Sequence, residues 1–254
     1  MPHRILIVTA VAAEADSVAA GLGHGLGGPG DAELLPLPGG LVLRRHPGPD
    51  SGRIDVLVGG VGPAAVAAST GTALAYASLM DPRHPYDLIV SAGIAGGFPS
   101  RAPLGSVVVS AAVVAADLGA ETPGGFLAVE ELGFGRSAHP VPEALTGRIA
   151  AALAAGGLPH TVAPVLTVST VTGTAGRAAE LAERHPGAAA EAMEGFGVAE
   201  AAAGYGVPVV EIRAVSNAVG PRDRAAWRIG EALESLGHAF RLLGKTVFVE
   251  LEPS

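Results

Sequence analysis

Runs of aliphatic and β-branched residues recur at intervals along this chain, and most of them are followed by a segment of helical character. The runs cover residues 4–9, 41–45, 54–58, 87–91, 107–116, 161–170 and 208–216. Short apolar runs predict strands, and strands that alternate with helices predict a largely parallel or mixed sheet covered by helices. The sequence therefore predicts an α/β fold with three layers, in which helices flank a central mixed sheet.

The helical segments are indicated by their ends. The first begins near Ala12 and is expected to stop at Gly21 and Gly23, and Pro63 suits the first turn of a helix that runs to about residue 79. Further helices are predicted at residues 142–155, 175–184, 194–205 and 224–243. Two stretches lack periodicity: residues 25–38 are expected to be an exposed connection, and residues 119–142 a surface excursion that forms a lid or a subunit contact.

The chain is expected to be a single domain, residues 1–254. No internal repeat, heptad pattern or low-complexity linker divides it. Hydrophobic residues make up 49% of the sequence and aromatic residues only 4%. The core must therefore consist mainly of closely packed Ala, Val, Leu and Ile.

Charge and cysteine content exclude several classes of partner. The formal net charge is −8 and no long run of Lys or Arg occurs, so the chain is not expected to bind nucleic acid. It has no cysteine, which rules out disulfides, thiolate metal sites and a cysteine nucleophile and is compatible with a cytoplasmic protein. The histidines are scattered, so no metal is predicted.

Two apolar segments could suggest a membrane protein. Residues 5–13 resemble a short signal peptide, but they soon meet Glu14 and Asp16. Residues 56–80 are uncharged, but they include a cluster of Gly59, Gly60, Gly62 and Pro63. A strand, a turn and a buried helix explain the second segment better than a membrane span, so no contact with a membrane is predicted.

The residues that could carry chemistry follow the predicted strands. They are Glu14, the predicted loop 93–97, Thr172, Glu194 and Asn217, and ligands of open α/β sheets bind at the carboxyl ends of strands. Each has a simpler interpretation. Glu14 and Glu194 could be carboxylates at helix N-termini, and for Glu14 its position alone favours this interpretation. The side chain of Asn217 could form hydrogen bonds with the backbone of a turn before Gly220.

Taken together, the motifs resemble the nucleosidase and purine nucleoside phosphorylase family over nearly the whole chain. The resemblance rests on five segments: residues 5–10 with Glu14, residues 93–97, residues 104–110, the sequence Met193-Glu194-Gly195 and residues 212–217. It implies a homo-oligomeric enzyme that needs no cofactor and acts on a small purine nucleoside. Residues 93–97 do not form the glycine fingerprint of dinucleotide-binding proteins, so a dehydrogenase is a remote alternative.

The resemblance also implies roles for individual residues. Glu14 would activate the attacking water and, with Asn217, form the catalytic pair. Met193 and Glu194 would contact the ribose, while Ile94, Val171 and Thr172 would line the site. Apart from the resemblance, Arg222 could bind a carboxylate of the substrate, because a guanidinium pairs with a carboxylate through two parallel bonds, although a solvated loop arginine is the simpler and favoured interpretation. Ala12, Ala13 and Ala192 depart from residues often found in similar enzymes, which affects the details of water and ribose binding.

Asn217 stands where the adenine-releasing nucleosidases have an aspartate. An aspartic acid can accept from adenine N6 and donate to N7, whereas the amide NH2 of asparagine offers two donors that suit O6 and N7 of a 6-oxopurine. The sequence therefore predicts release of hypoxanthine. Within the family, residues 216–223 with Trp227 and residues 170–173 are most similar to members that release this base.

Water is the expected nucleophile, because residues 10–14 lack the arginine that related phosphorylases carry there. A purine nucleoside phosphorylase or an adenine-releasing nucleosidase is the nearest alternative. A protein of another class, which binds nucleosides without cleaving them, is the second alternative.

Overall fold

A computed structural model describes residues 3–25, 32–48, 52–82 and 86–250. Within them, the strands are β1 Arg4–Thr9, β2 Glu33–Pro36, β3 Val42–Pro47, β4 Arg53–Val58, β5 Leu88–Gly97, β6 Val107–Ala115, β7 Gly119–Thr122, β8 Gly125–Ala128, β9 Ala138–Pro140, β10 His160–Thr167, β11 Ala190–Ala192 and β12 Val209–Ala218. The α-helices are α1 Ala12–Gly25, α2 Pro63–Met80, α3 Glu143–Ala155, α4 Ala175–Arg184, α5 Gly195–Gly204 and α6 Ile229–Leu243. The predicted α/β class is confirmed.

The main sheet is mixed and curls back on itself. Its order is β11-β10-β6-β12-β5-β1-β4-β3-β2, with β9 against β6, and β11 also pairs with β5. Strands β5, β12, β6, β10 and β11 therefore form a closed ring. A cluster of small buried residues comes from these strands and their connections: Ala95, Ala102, Val108, Ala163, Val165, Ala189, Ala190, Ala192 and Val215.

Helices α1 and α6 pack together, as do α2 and α5, and both pairs contact the sheet. Apolar side chains of β1, β4, β5 and β12 join these helices in the largest core cluster. Burial of such aliphatic side chains stabilises the fold by about 1.5–3 kcal/mol for each fully buried Val, Leu or Ile. Within the described part of the chain, no helix combines the length and apolar character needed to cross a membrane.

Several boundaries differ from the sequence predictions. Helix α1 continues past Gly21, where the backbones of α1 and α6 approach so closely that a Cβ would contact the Gly237 carbonyl. The last helix begins at Ile229 rather than at residue 224 because a short 3₁₀ turn, Arg224–Ala226, precedes it. Helix α4 occupies residues 175–184, as predicted.

The predicted irregular segments contain strands. Strand β2 lies inside the expected connection 25–38, of which residues 26–31 are outside the described residues. The excursion 119–142 holds the antiparallel hairpin β7–β8 and strand β9. The prediction of a loop at residues 93–97 is wrong, since these residues are the end of β5, paired with β12 and β11.

Candidate active site

A buried guanidinium, Arg213, lies at the centre of the candidate site. Strand β12 carries it, and its side chain is 1% exposed. Its Nη2 lies 3.1 Å from Glu194 Oε2 and donates to Ser91 Oγ at 3.2 Å, while Nη1 donates to the Ile94 carbonyl at 3.4 Å. Its Nε donates to Glu211 Oε1 at 2.7 Å. The guanidinium is therefore held in one orientation by two strands and two carboxylates.

Glu14 reaches this centre from the first turn of α1. Its Oε2 accepts from the backbone N–H groups of Ala10 and Val11 at 3.0 and 3.3 Å, and Oε1 accepts from Ile94 N–H at 2.9 Å. A Cβ built on Gly93 would lie 2.5 Å from Glu14 Oε1 and 2.6 Å from Arg213 Nη1. Glycine at position 93 thus leaves the space in which the carboxylate and the guanidinium approach each other.

Glu194 occupies the residue before α5, at the end of the link from β11. It is 6% exposed, and its Oε1 accepts from Gly62 N–H at 3.3 Å while Oε2 contacts Arg213. It does not cap α5 with its side chain. Glu194 thus stands at the N-terminus of α5, but its carboxylate contacts Arg213, and Glu14 and Glu194, 180 residues apart in sequence, both lie near the same guanidinium.

A third carboxylate, Glu211, completes the centre. It is fully buried, its Oε2 has no hydrogen-bond partner among the described residues, and a Cβ on Gly195 would overlap it. Burial raises the pKa of Glu211, and the nearby Arg213 opposes this only in part. For Arg213, burial disfavours the charged form, but the carboxylates of Glu211, Glu194 and Glu14 outweigh it and the pKa is raised.

Asn217 lies in β12 beside Gly96 of β5. Its Oδ1 accepts from Ser216 Oγ at 2.9 Å, and its Nδ2 donates to the Ala218 carbonyl at 3.0 Å. The side chain is partly exposed. One amide hydrogen is therefore engaged locally and the other is left for a ligand, since an amide NH2 has two donors.

Thr172 is buried, whereas its neighbour Val171 is 42% exposed. The Thr172 N–H and Oγ donate to the two oxygens of Glu191 at 2.8 and 2.5 Å. Burial raises the pKa of Glu191, and these two hydrogen bonds counteract the rise. Ile94 and Met193 are partly buried next to Glu14 and Glu194, respectively.

Arg222 lies apart from the buried centre in the exposed segment after Asn217. Its guanidinium is 5.3 Å from the ring centre of Trp227. The N–H of Arg228 donates to the Ser216 carbonyl at 2.7 Å, so both ends of the segment 217–228 lie near Asn217.

Sequence reasoning missed Arg213, Glu211 and Glu191 as members of the site. A signal was present for the first two, because charged residues two positions apart in an otherwise apolar strand lie on one face of the sheet and need buried partners. Glu191 gave no comparable signal, since β11 has only three residues. In the described part of the chain, no group of three or more His, Cys, Asp or Glu side chains could hold a metal ion.

Comparison with known proteins places this chain in a family. A family model described as the phosphorylase superfamily matches residues 44–247. The futalosine hydrolase of Streptomyces coelicolor is 59% identical over 239 residues, covering 92% of this chain and 92% of the relative. That of Acidothermus cellulolyticus is 46% identical over 248 residues, covering 96% and 91%.

Solved structures share the fold at low sequence identity. The native structure of Helicobacter pylori futalosine hydrolase superposes with a TM-score of 0.77 at 17% identity, covering 95% of this chain and 97% of that one. A methylthioadenosine/adenosylhomocysteine nucleosidase of the same organism gives 0.75 at 19% identity, covering 96% and 97%. The fold and the matching model define the class as the phosphorylase superfamily, which confirms the resemblance seen in the sequence.

Within that class, the curated relatives narrow the assignment. The chain belongs to the futalosine hydrolase family of the phosphorylase superfamily.

Proposed function

We propose that this protein hydrolyses the N-glycosidic bond of futalosine, yielding hypoxanthine and dehypoxanthine futalosine, a step of menaquinone biosynthesis. The observation that carries the proposal is the approach of Glu14 and Glu194 to the buried guanidinium of Arg213, on the strand that also carries Asn217. Relatives that are 59% and 46% identical over almost the whole chain carry the name of this activity.

In the proposed reaction, the bond between C1′ and the purine nitrogen breaks and its electron pair stays on the base. The ribosyl ring becomes oxocarbenium-like, a water oxygen bonds to C1′, and one water proton passes to the Glu14 carboxylate. The departing base takes a proton from solvent and Glu14 returns its proton to solvent, so that one water molecule is consumed in total. The backbone N–H groups of Ala10, Val11 and Ile94 hold that carboxylate in place. Because a carboxylate has about four acceptor positions, it can still accept a hydrogen bond from water.

Asn217 stabilises the leaving base. Its free amide hydrogen would donate to O6 or N7 of hypoxanthine, and rotation of the amide away from the Ala218 carbonyl would supply the second donor. Donors aimed at charge that develops in the transition state typically lower the barrier by about 2.7–4 kcal/mol each.

Glu194 would accept hydrogen bonds from the 2′ and 3′ hydroxyls of the ribose, next to Met193. Arg213 orients Glu194 through an ion pair at 3.1 Å, and its charge lies near Glu14. Ile94, Val171 and Thr172 would line the rest of the site.

Two finer assignments depend on the substrate and the assembly. Arg222, stacked on Trp227, would bind the substrate carboxylate from the segment that begins beside Asn217. A homo-oligomer would cover the exposed apolar side chains Leu118 and Phe134, which are 42% and 79% exposed. Each assignment uses an exposed group: the substrate would bury Arg222, and a second copy of the chain would bury Leu118 and Phe134.

The test is base release in phosphate-free buffer. We expect hypoxanthine from futalosine, no dependence on added phosphate, and little or no base from methylthioadenosine. Asn217→Asp should shift the ratio of kcat/KM toward the adenine nucleoside, and the matched control Asn217→Ala should lower activity without that shift. Adenine release by the native enzyme would refute the assignment of Asn217, and phosphate-dependent turnover would favour a phosphorylase.

A further inference from the structure

The carboxyl groups around Arg213 outnumber its single positive charge. Glu194 Oε2 lies 3.1 Å from the guanidinium, and Glu14 adds a second negative charge nearby. Glu211 is a third carboxyl group, fully buried, and its Oε2 has no hydrogen-bond partner in the described part of the chain. Burying a polar atom without a partner costs free energy, and apolar residues often replace buried ion pairs without loss of stability. Neutralisation of Arg213 therefore does not explain why a glutamate stands at position 211.

Glu211 makes the shortest of the contacts that hold the guanidinium. Arg213 Nε donates to Glu211 Oε1 at 2.7 Å. The Nη atoms lie 3.1, 3.2 and 3.4 Å from Glu194 Oε2, Ser91 Oγ and the Ile94 carbonyl, respectively. A guanidinium is planar and its N–H groups form a fixed fork. The bond to Nε therefore also determines the direction in which Nη2 points, which is toward Glu194.

Glu211 lies against the backbone next to Glu194 as well. A Cβ on Gly195, the first residue of α5, would overlap the Glu211 carboxyl group. The absent side chain lets this carboxyl group pack against the start of the helix. Glu211 thus contacts both the residue that follows Glu194 and the cation that pairs with Glu194, so it supports the backbone and the carboxylate of that residue together.

We propose that Glu211 is a positioning residue that aims Arg213 at Glu194 and thereby sets how strongly the site binds the ribose hydroxyls. The inference deepens the proposed function and rests on its assignment of Glu194 to the ribose. Glu211 acts as a hydrogen-bond acceptor at a fixed distance rather than as a charge. Burial raises the pKa of Glu211, which suits this role, because the carbonyl oxygen of a neutral carboxyl group still accepts from Nε.

Two conservative variants separate position from charge. Glu211→Gln keeps the length of the side chain and an acceptor oxygen but removes the charge. Glu211→Asp keeps the charge but is one methylene shorter, so it either loses the bond to Nε or draws the guanidinium away from Glu194. If Glu211 positions Arg213, the Gln variant should retain ribose recognition and the Asp variant should lose it. If Glu211 only balances charge, the order should be the reverse.

Calorimetry with two ligands measures ribose recognition. The carbocyclic analogue of futalosine has a methylene in place of the ring oxygen, so it cannot form an oxocarbenium ion, yet it keeps the base and both hydroxyls. Its 2′-deoxy form lacks one donor to Glu194. The native enzyme should prefer the first ligand by about 10- to 100-fold, the effect of one hydrogen bond to a charged group. This preference should stay within about 3-fold of the native value in Glu211→Gln and fall to about 3-fold or less in Glu211→Asp.

Controls separate positioning from a general loss of structure. Asp55 is also fully buried, but Arg45 and Tyr86 bond to it. Asp55→Asn should therefore lower the free energy of unfolding and keep the native ribose preference. Free hypoxanthine should bind Glu211→Asp and the native enzyme within about 3-fold of each other, because the base does not contact Glu194. Urea unfolding shows that each variant is folded, and if Glu211→Asp is not, Glu211→Gln alone decides.

A preference lost in Glu211→Gln, or kept in a folded Glu211→Asp, would overturn the proposal. Turnover separates this failure from failure of the proposed function. If the native enzyme releases hypoxanthine from futalosine while the variants contradict the expected order, the role of Glu211 is wrong and the activity stands. If the variants follow the order but the native enzyme does not cleave futalosine, the activity is wrong. A native enzyme without any ribose preference would refute the role of Glu194 and this inference with it.

Discussion

Replacing Arg213 by methionine tests whether the buried guanidinium holds the candidate site together. Methionine has a similar length and can fill the apolar part of the space, but it removes the only cation that contacts Glu194 and Glu211 in the described residues. Both carboxylates, with Glu14 close by, would then be buried without a positive charge.

Breaking a buried ion pair by removing one partner costs about 3–5 kcal/mol. Arg213 is 1% exposed and Glu211 is fully buried, so solvent screening does not reduce this value. The total stability of a domain is about 5–15 kcal/mol. The variant should therefore lose a large part of its free energy of unfolding at pH 7, while the exposed Arg101→Met control should change it by less than about 0.5 kcal/mol.

The loss should depend on pH in a defined direction. Glu211 already has a raised pKa because of its burial, and removing Arg213 raises it further. A carboxyl group with a raised folded-state pKa stabilises the fold fully below its unfolded pKa of about 4.3, and that contribution disappears as pH rises through the folded value. The stability difference between native and variant protein should therefore shrink as pH is lowered from 7 to 5.

Urea unfolding followed by circular dichroism at fixed protein concentration measures these differences. The double variant Arg213→Met/Glu211→Leu removes one uncompensated charge, so it should be more stable than Arg213→Met alone, with a coupling energy of about 0.5–3 kcal/mol. A single variant within 0.5 kcal/mol of the native protein at pH 7, or a difference that does not shrink at pH 5, would refute this account of the centre.

Three other predictions follow from the same structure. Glu14→Gln should lower kcat by about 10²–10⁴-fold with an unchanged circular dichroism spectrum, and full activity would disprove its role as base. Gly195→Ala should lower stability by about 1–3 kcal/mol and reduce turnover, because a Cβ overlaps the Glu211 carboxylate; a fully active, equally stable variant would contradict the observed packing. Asp55→Asn should lower the free energy of unfolding by about 1.5–3 kcal/mol, because it weakens the two hydrogen bonds from Arg45 at 2.9 and 3.0 Å. KM should stay unchanged, which steady-state kinetics on the folded variant would check.

The layered fold could be predicted from sequence because the longer strands of the main sheet carry apolar runs and several helices have local end signals. Helix α4 shows this most clearly, since its Thr174 cap accepts from Arg177 N–H as a capping residue should. Strand β11 could not be predicted in the same way. Its three residues carry no periodicity, and its place in the sheet depends on pairing with β5 and β10, which are distant in sequence.

The site could be predicted only in part, because sequence indicates which residues are unusual but not which of them meet. Glu14, Glu194 and Asn217 stand out after their strands. The approach of Glu14 to Glu194, however, depends on Arg213, a charged residue within an apolar strand whose partners the sequence does not reveal. The interaction between Thr172 and Glu191 depends on closure of the ring by β11, which no local pattern indicates.

Glycine explains why the site was harder to predict than the fold. The sequence predicts a loop at Gly93 and Gly96 and places Gly195 only at the end of a motif, yet all three lie in regular structure, two in β5 and one at the start of α5. A Cβ at each would meet a charged or polar group of the site: Glu14 and Arg213, the Asn217 amide, and the Glu211 carboxylate. These glycines provide room for buried polar groups rather than backbone freedom, because their φ angles are not in the left-handed region. Alanine at any of them therefore tests the site itself, whereas alanine at a glycine that requires positive φ, such as Gly105, tests only the turn.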